Sequence, residues 1–383
     1  MLLTFLLQAC GGGENPVAEQ PAETAPLEAE ETAGIQFIGD PFLTGEFYAA
    51  QHGRELSYAK NVWDMQVWDG KIYLGHGNSN NTGPATGVAP MSVVYYDPQG
   101  GVFETEFTTN ECQIDRYRVI DGHLYIPGHD PRAVSFDLGN FYRLDAAGWV
   151  KVRTIPFGAH TYDIFGFDDA LFVAEGTANG DGATVSRSLD GGMTWDSFQL
   201  VEDFTTQAYE LFTLNNNLYV STFGGSVHRY SKFGFFTPVN ARFIPDAEFA
   251  VNARMIRTVL FDETLLYIGA DRQGAHQWTP IRAYRAPSVN QIQELAIPAA
   301  DLPYDILVRH GRTFLLTNRR VSSGYRLVIY ESADLESWGV IAEYDIPSFA
   351  RSFEYHDGCF YVGLGTDQQA LNPASGSIYR IVF

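Results

Sequence analysis

The sequence contains no run of 18 consecutive apolar residues, which excludes a membrane-spanning helix. It has only three cysteines among 383 residues, and their spacing matches neither a zinc site nor a catalytic cysteine motif. Basic residues are also few, with 25 Lys and Arg against 46 Asp and Glu and a net charge of −21. Nucleic acid is therefore not an expected partner, because its phosphates require a basic surface. An anionic glycan stays possible, since a local basic pocket can oppose the global charge.

A hydrophobic-aromatic-hydrophobic triplet recurs along the chain at nearly constant spacing. Successive copies are 52, 47, 47, 48, 47 and 47 residues apart. Seven copies at this period predict an all-β fold, a seven-bladed β-propeller of four-stranded antiparallel blades over residues 35–383. The copies align on Tyr73, Tyr125, Phe172, Tyr219, Tyr267, Phe314 and Tyr361.

The two ends of the predicted propeller complement each other. The C-terminal segment 378–383 is typical of the third strand of the seventh blade, and no fourth strand follows it. The segment 35–38 precedes the first blade and has strand character. We predict that it supplies the missing outer strand of the seventh blade and so closes the ring. Cys112 and Cys359 fall in blades that are not neighbours, so we expect no disulfide between them.

The first ten residues resemble a bacterial lipoprotein signal. Met1 to Leu7 is almost entirely apolar, and the sequence then reaches Cys10 through Gln8 and Ala9. The resemblance implies that residues 1–10 are a signal, that Cys10 is lipidated, and that the protein is held at the cell envelope.

Residues 11–34 contain six Glu and no Lys or Arg, so we expect a disordered acidic tether. The residue after Cys10 is Gly11 rather than Asp, which by the same resemblance favours the outer membrane of a Gram-negative bacterium. We expect a monomer that meets the membrane only through the lipid anchor.

A second motif identifies the type of blade. The segment 188–195 reads Ser-Leu-Asp-Gly-Gly-Met-Thr-Trp, which matches the Asp-box pattern, and the segment 332–338 is a shortened copy. The chain therefore resembles the sialidase-like superfamily of Asp-box β-propellers. In that superfamily the box is a peripheral hairpin between the third and fourth strands, so the resemblance implies a structural role for Asp190 and Trp195.

Propeller ligands usually bind near the axis, on the face where the first strands begin. Counting six residues back from the first hairpin tip of each blade selects one equivalent position per blade, and six of the seven are ionisable. Two interpretations stay open: the charges pair between neighbouring blades, or they bind a ligand at the channel mouth. We call these seven positions the ring: Asp64, Arg116, Asp163, Glu210, Arg257, Asp305 and Ser352.

Histidines cluster at the same predicted face. His76 follows the second strand of blade one, His129 follows that of blade two, and His160 with Tyr162 enters the first strand of blade three. Histidines on three adjacent blades favour a site, although a single histidine is usually a surface residue. Arg254 and Arg351 mark the opposite part of the rim, where guanidinium groups suit a carboxylate ligand.

Three functions are compatible with this pattern. The favoured one is a protein that binds a glycan or an envelope protein at the channel face without catalysis, using the ring together with His76 and Arg351. The first alternative is a lyase acting on a uronic acid polymer, because imidazole suits proton transfer near neutral pH. In the lyase Arg116 neutralises the uronate, His129 or His160 is the base, and Tyr162 is the acid.

The third function is a sialidase-like hydrolase. The resemblance implies an arginine trio for the substrate carboxylate, for which Arg116, Arg257 and Arg351 are the candidates. It also implies a tyrosine nucleophile beside a glutamate, here Tyr162 or Tyr209 with Glu210. Seven blades rather than six, and the missing Arg-Ile-Pro signature near the first blade, count against it. The sequence identifies no cofactor and no metal site.

Overall fold

The computed structural model describes residues 33–42, 57–79, 90–131, 135–201, 206–231, 233–245, 253–273, 277–367 and 370–383. Within these residues the chain forms 28 β-strands and one short 3-10 helix, Ser57–Lys60. The strands make seven four-stranded antiparallel sheets, so the predicted seven-bladed β-propeller is confirmed. None of the helices in these ranges is long and apolar enough to cross a membrane.

Each of the first six blades uses four consecutive strands, from the axis outward. Blades one and two comprise β2 (Asp64–Trp68), β3 (Lys71–Gly75), β4 (Met91–Asp97), β5 (Val102–Thr109), β6 (Arg118–Ile120), β7 (His123–Pro127), β8 (Leu138–Asp145) and β9 (Gly148–Pro156). Blades three and four comprise β10 (Gly158–Phe167), β11 (Ala170–Thr177), β12 (Ala183–Ser188), β13 (Asp196–Val201), β14 (Ala208–Leu214), β15 (Asn217–Thr222), β16 (Val227–Tyr230) and β17 (Phe236–Pro238). Blades five and six comprise β18 (Ala253–Phe261), β19 (Thr264–Gln273), β20 (Gln277–Ser288), β21 (Gln291–Glu294), β22 (Leu302–Arg309), β23 (Arg312–Val321), β24 (Gly324–Ser332) and β25 (Gly339–Ile346).

The seventh blade joins the two ends of the propeller. Its strands run outward as β26 (Ala350–His356), β27 (Cys359–Leu364), β28 (Ile378–Val382) and β1 (Gly34–Gly39). β1 lies antiparallel to β28, with Ile35 opposite Ile381. The predicted closure by an N-terminal strand is therefore confirmed, and it covers an edge that would otherwise be open.

The apolar core lies between neighbouring blades. The recurring triplet occupies the second strand of each blade, and its aligned aromatic residues are buried. Phe172 of blade three, for example, belongs to the same packed cluster as Leu211 and Val220 of blade four. Because such a cluster needs two sheets, one blade cannot bury its core alone.

The Asp-box segment forms a hairpin between β12 and β13. Asp190 Oδ1 accepts hydrogen bonds from the backbone amides of Met193 and Thr194, at 3.0 and 2.9 Å. The Trp195 indole donates to Thr154 Oγ1 of the neighbouring blade at 3.0 Å. These contacts close the turn and join two blades at the periphery, away from the axis.

The two cysteines in the described ranges are far apart in the ring. Cys112 lies between β5 and β6, whereas Cys359 begins β27. Both are buried free thiols, as expected from their placement on separate blades. Cys10 and the remainder of the predicted signal and tether up to residue 32 lie outside the described residues.

Candidate functional site

Half of the ring is a buried network of two arginines and two carboxylates. Arg116 Nη1 lies 3.0 Å from Asp163 Oδ2, and Arg116 Nη2 pairs with Glu210. Arg118 binds the same Asp163 through Nε and Nη2, at 2.9 and 2.8 Å. Asp163 and Glu210 are almost completely buried, so their charges are compensated within the protein.

Arg257 forms the other half of the ring with two carboxyl groups. Its Nη1 lies 3.1 Å from Asp64 Oδ1, and its Nε lies 3.3 Å from Asp305 Oδ1. Burial raises the pKa of Asp305 to about 7, against the opposing effect of Arg257. Arg257 adopts a φ of 53°, a left-handed conformation that is uncommon outside glycine.

The acidic ring residues also bind the backbone of the next blade. Asp64 accepts a hydrogen bond from the Tyr117 amide at 2.7 Å, and Asp163 accepts one from Leu211 at 2.8 Å. The same contact recurs from Glu210 to Thr258 at 3.2 Å and from Asp305 to Phe353 at 3.1 Å. Ser352 completes the ring by donating to the Val62 carbonyl at 2.7 Å. This geometry supports pairing between blades, the first of the two interpretations of the ring.

A second set of side chains lies near the starts of the innermost strands. We call it the histidine sector: Asp115, His129, His160, Tyr162, Tyr209 and Arg254. Its members come from blades two to five, and the contacts below connect them. Among the described residues, no group of three or more His, Cys, Asp or Glu side chains is placed to hold a metal ion.

His160 is held in a defined tautomer. Its Nδ1 lies 3.0 Å from the backbone carbonyl oxygen of His129 and 3.5 Å from Asp130 Oδ1. A carbonyl oxygen only accepts, so Nδ1 carries the hydrogen and Nε2 of the neutral ring keeps the lone pair. That nitrogen forms no hydrogen bond with the described residues, and the side chain is 27% exposed.

His129 is buried deeper than His160. Its Nε2 lies 3.1 Å from Ser79 Oγ, and its Nδ1 lies 3.9 Å from Asp115 Oδ2. Burial lowers the pKa of His129 to about 4, although Asp115 acts in the opposite direction. His129 is therefore neutral at pH 7.

Tyrosines link the histidines to the arginine side of the sector. The Tyr162 ring stands edge-on to His129 with centroids 4.9 Å apart, and its hydroxyl donates to Gln207. The Tyr209 hydroxyl donates to Asp115 Oδ2 at 3.0 Å. Burial raises the pKa of Tyr162 well above its usual range, so this phenol keeps its proton.

Arg254 lies flat over aromatic rings. Its guanidinium carbon is 4.0 Å from the centroid of Tyr209 and 5.2 Å from that of Phe223. Burial lowers the pKa of Arg254. Burial would raise the pKa of Asp115, but the charges of His129, Arg116 and Arg254 outweigh it and hold that pKa at about 2. Asp115 thus stays ionised near the neutral His129.

β-Bulges interrupt four of the innermost strands just before the ring position. Tyr162, Tyr209, Tyr304 and Arg351 are each skipped in the pairing of their strand with the second strand of the blade. A bulge turns its extra residue away from the ladder and re-aims its side chain. The signal in the sequence is the residue just before each ring position, which is aromatic or charged in six blades: Trp63, Asp115, Tyr162, Tyr209, Tyr304 and Arg351. Sequence reasoning missed Asp115 and Trp63.

His76 does not join the other two histidines. Its Nε2 lies 2.8 Å from the Ser92 carbonyl oxygen, and its ring stacks on Phe42 with centroids 4.2 Å apart. Burial lowers the pKa of His76 to about 4. The expected grouping of His76 with His129 and His160 is thus not observed, because its ring packs within blade one. Its role as a ligand-binding residue stays a prediction.

The arginine trio of the sialidase hypothesis is not assembled. Arg116 and Arg257 are engaged by ring carboxylates, whereas Arg351 stacks on Trp63 at 4.1 Å. Glu210 binds Arg116 and Thr258 instead of a tyrosine hydroxyl. Arg116 is equally unsuited to neutralise a uronate in a lyase, since its partners already compensate its charge.

Glu175, next to His160 in the sheet, is a completely buried acid. Ser186 donates a hydrogen bond to its Oε1, while its Oε2 has no hydrogen-bond partner among the described groups. Burial raises the pKa of Glu175 to about 8. This carboxyl group is therefore mainly protonated at pH 7.

Fold and site together define a seven-bladed β-propeller protein with a polar cluster where its innermost strands begin. No family model matches the chain, and no curated protein matches it either. Among solved structures it is similar to virginiamycin B lyase from Staphylococcus aureus, with 13% identity and a TM-score of 0.54 over 86% of this chain and 97% of that chain. A catalytically inactive His-to-Ala variant of that lyase with quinupristin gives the same values.

A second similar structure is the β-propeller domain of the Trilobed protease from Pyrococcus furiosus. It is 9% identical, with a TM-score of 0.50 over 83% of this chain and 94% of that domain. At such identities the likeness concerns the fold alone.

The ring network generates a stability prediction. Asp163→Asn removes the carboxylate shared by Arg116 and Arg118 and leaves buried positive charge uncompensated. We expect a loss of about 3–5 kcal/mol in the free energy of unfolding, measured by denaturant titration. The matched control is Asp196→Asn, whose carboxylate is 64% exposed, and we expect it to cost less than about 1 kcal/mol. Equal effects of the two changes would contradict the role given to the ring.

Glu175 generates a pH prediction. Its pKa is about 8 in the folded protein and near 4.5 when exposed, so between these values the folded state holds a proton that the unfolded state releases. Stability contributed by this group falls as pH rises through that window. Glu175→Gln, which keeps the shape and cannot ionise, should therefore gain stability over the original protein between about pH 5 and pH 8. Thermal melts at several pH values measure this, with the exposed Glu294→Gln as control; parallel pH profiles for both variants would refute it.

Proposed function

We propose that the histidine sector binds an anionic sugar, of the uronic acid class, at the face where the innermost strands begin. The observation that carries the proposal is Arg254, which stacks 4.0 Å above Tyr209 near His129, a histidine that is neutral at pH 7. A guanidinium group binds a carboxylate through two parallel hydrogen bonds. Tyr209 and Phe223 hold its plane, and aromatic side chains supply the apolar surface that small-molecule pockets use.

Further support comes from the different contacts that the arginines make. Arg116 and Arg257 are compensated by ring carboxylates, so they hold the blades together. Arg254 lies instead over the rings of Tyr209 and Phe223, and burial lowers its pKa. A bound carboxylate would add a negative charge beside this guanidinium group.

We further propose that this binding takes place at the cell envelope. Lipidation of Cys10 would anchor the chain there, and residues 11–34 would act as a tether. The proposal rests on the sequence, since residues 1–32 lie outside the described ranges. A glycan of the envelope or its surroundings is then the partner, and the outer membrane of a Gram-negative bacterium is the location.

A second candidate function, a uronate lyase, is favoured by one observation. The His129 carbonyl engages Nδ1 of His160 and leaves Nε2 as the position for a base, and the Tyr162 ring, whose hydroxyl keeps its proton, lies 5.7 Å away. In such a β-elimination His160 removes the C5 proton, the electron pair forms the C4–C5 double bond, and Tyr162 protonates the departing O4. Arg254 takes the place that the sequence analysis gave to Arg116 in neutralising the uronate.

Binding is tested with short oligogalacturonates by isothermal titration calorimetry. Loss of one charge-assisted pair weakens binding, so Arg254→Gln should lower affinity about tenfold or more. Arg326→Gln, on an outer part of blade six, is the control and should bind normally. Unchanged affinity in Arg254→Gln would remove the basis of the proposal. The same mixtures report on the lyase: ultraviolet absorbance of an unsaturated product should appear, and His160→Gln should abolish it without abolishing binding.

The anchor is tested by metabolic labelling with a radioactive fatty acid in a bacterial host. The full chain should incorporate label and sediment with membranes, and Cys10→Ser should do neither, because the acylated sulfur is absent. Cys112→Ser, which changes a buried thiol in the propeller, is the control and should keep the label. Label that persists in Cys10→Ser would exclude this mode of attachment.

A further inference from the structure

Arg351 lies on the innermost strand of blade seven and, like Arg254 in blade five, stacks on aromatic rings. It is the extra residue of the bulge in β26, between Ala350 and Ser352. Its guanidinium carbon lies 4.1 Å from the ring of Trp63 in blade one and 5.3 Å from that of Phe349. Two aromatic side chains from adjacent blades therefore hold the plane of this guanidinium group.

The charge of Arg351 is not compensated by the part of the protein that the structure describes. Its Nε donates to Asn61 Oδ1 at 2.9 Å, and no described carboxylate lies within ion-pair distance. Its two terminal nitrogens donate to no described group. Burial lowers the pKa of Arg351, with only small opposing effects from Tyr58, Tyr304 and Asp367. The other guanidinium on the same strand level, Arg257, faces two carboxyl groups instead.

The surroundings of Arg351 fix it in place. Asn61 is completely buried, accepts hydrogen bonds from Arg351 Nε and from the Thr366 amide, and donates to the Tyr58 carbonyl at 2.7 Å. Gly365 packs directly beside the pair, since a Cβ there would lie 2.4 Å from Asn61 Oδ1 and 2.9 Å from Arg351 Nε. Asn61 Oδ1 is thus fixed by the Thr366 amide and in turn orients Arg351.

We propose that Arg351, Trp63, Phe349 and Asn61 form a second anion subsite, which takes a carboxylate of a uronate residue. Asn61 and the two aromatic rings leave the terminal nitrogens of Arg351 as a fork, the geometry that binds a carboxylate bidentately. The inference rests on the proposed function in one respect: the second carboxylate belongs to the same sugar chain that the histidine sector holds. The ligand class is therefore an oligouronate with two separated carboxylates rather than a single uronate.

The two subsites lie on opposite sides of blade six along the ring. Arg254 is on the innermost strand of blade five, and Arg351 is on that of blade seven. Between them stands Tyr304, the bulge residue of blade six, whose ring centroid is 4.9 Å from that of Phe349. An aromatic surface thus continues from the second subsite into blade six.

The test uses galacturonate and its linear tetramer as probes, with the full chain and five variants. Trp63 lies against the proposed anion, so its fluorescence should change when galacturonate is added, and Trp63→Phe identifies that signal. The change should persist in Arg254→Gln and disappear in Arg351→Gln. Tetramer affinity, measured by calorimetry, should fall about tenfold or more in either single variant, as expected for one lost charge-assisted pair.

A structural role alone would give a different pattern. Arg351→Lys keeps the charge and should retain part of the fluorescence response, whereas Gly365→Ala keeps Arg351 and should weaken the response by displacing it. Thermal melts of each variant show whether the propeller is folded. Gly365→Ala and Arg351→Lys carry the test if Arg351→Gln unfolds.

The outcomes separate this inference from the proposed function. If Arg254→Gln weakens the tetramer and Arg351→Gln does not, the histidine sector stands and the second subsite is overturned. If the change in Trp63 fluorescence on adding galacturonate requires Arg351, and Arg254→Gln binds both probes with unchanged affinity, the second subsite stands and the role of the histidine sector fails. If neither probe binds, both are overturned.

Discussion

The hydrogen bond from a buried ring side chain to the backbone of the next blade is the contact on which this propeller depends. Asp64, Asp163, Glu210 and Asp305 each make it, and Ser352 makes the corresponding bond to blade one. A buried carboxylate is costly unless charge and hydrogen bonds satisfy it, so each one requires both an arginine and the neighbouring strand in register. Apolar packing between sheets is less specific about register. The polar contacts at the axis therefore fix how successive blades are aligned.

This arrangement separates the structural residues from the candidate binding residues by a single position. The ring satisfies its own charges, and in four blades the preceding residue lies in a bulge and is a candidate for contact with a ligand. Tyr162, Tyr209, Tyr304 and Arg351 are such residues. A repeat with this design can vary its recognition chemistry from blade to blade, because the bulged residue makes no ladder contacts that the fold requires.

The fold was predictable because its signal is repeated. The triplet marks each second strand, and the missing last strand of blade seven pointed to β1 as its replacement. The ring was also visible, since hairpin tips give a common origin from which to count. The residues just before the ring positions share an aromatic or charged character but no single residue type, so Asp115 and Trp63 went unnoticed. The orientation of His76 was not predictable either. Its sequence position resembles that of His129, yet its ring stacks on Phe42 and lies within hydrogen-bond distance of the Ser92 carbonyl. Such orientations depend on contacts between distant segments.

The closing strand has a mechanical consequence. Among the described strands β1 forms ladder hydrogen bonds only with β28, and its first residue, Gly34, lies opposite Val382 near the other end of the chain. A pulling force applied upstream of Gly34 would reach that pair first and would then separate β1 from β28 one residue at a time. The propeller thus has its weakest mechanical link at the point where the upstream chain enters, and blade seven would be the first to yield under load.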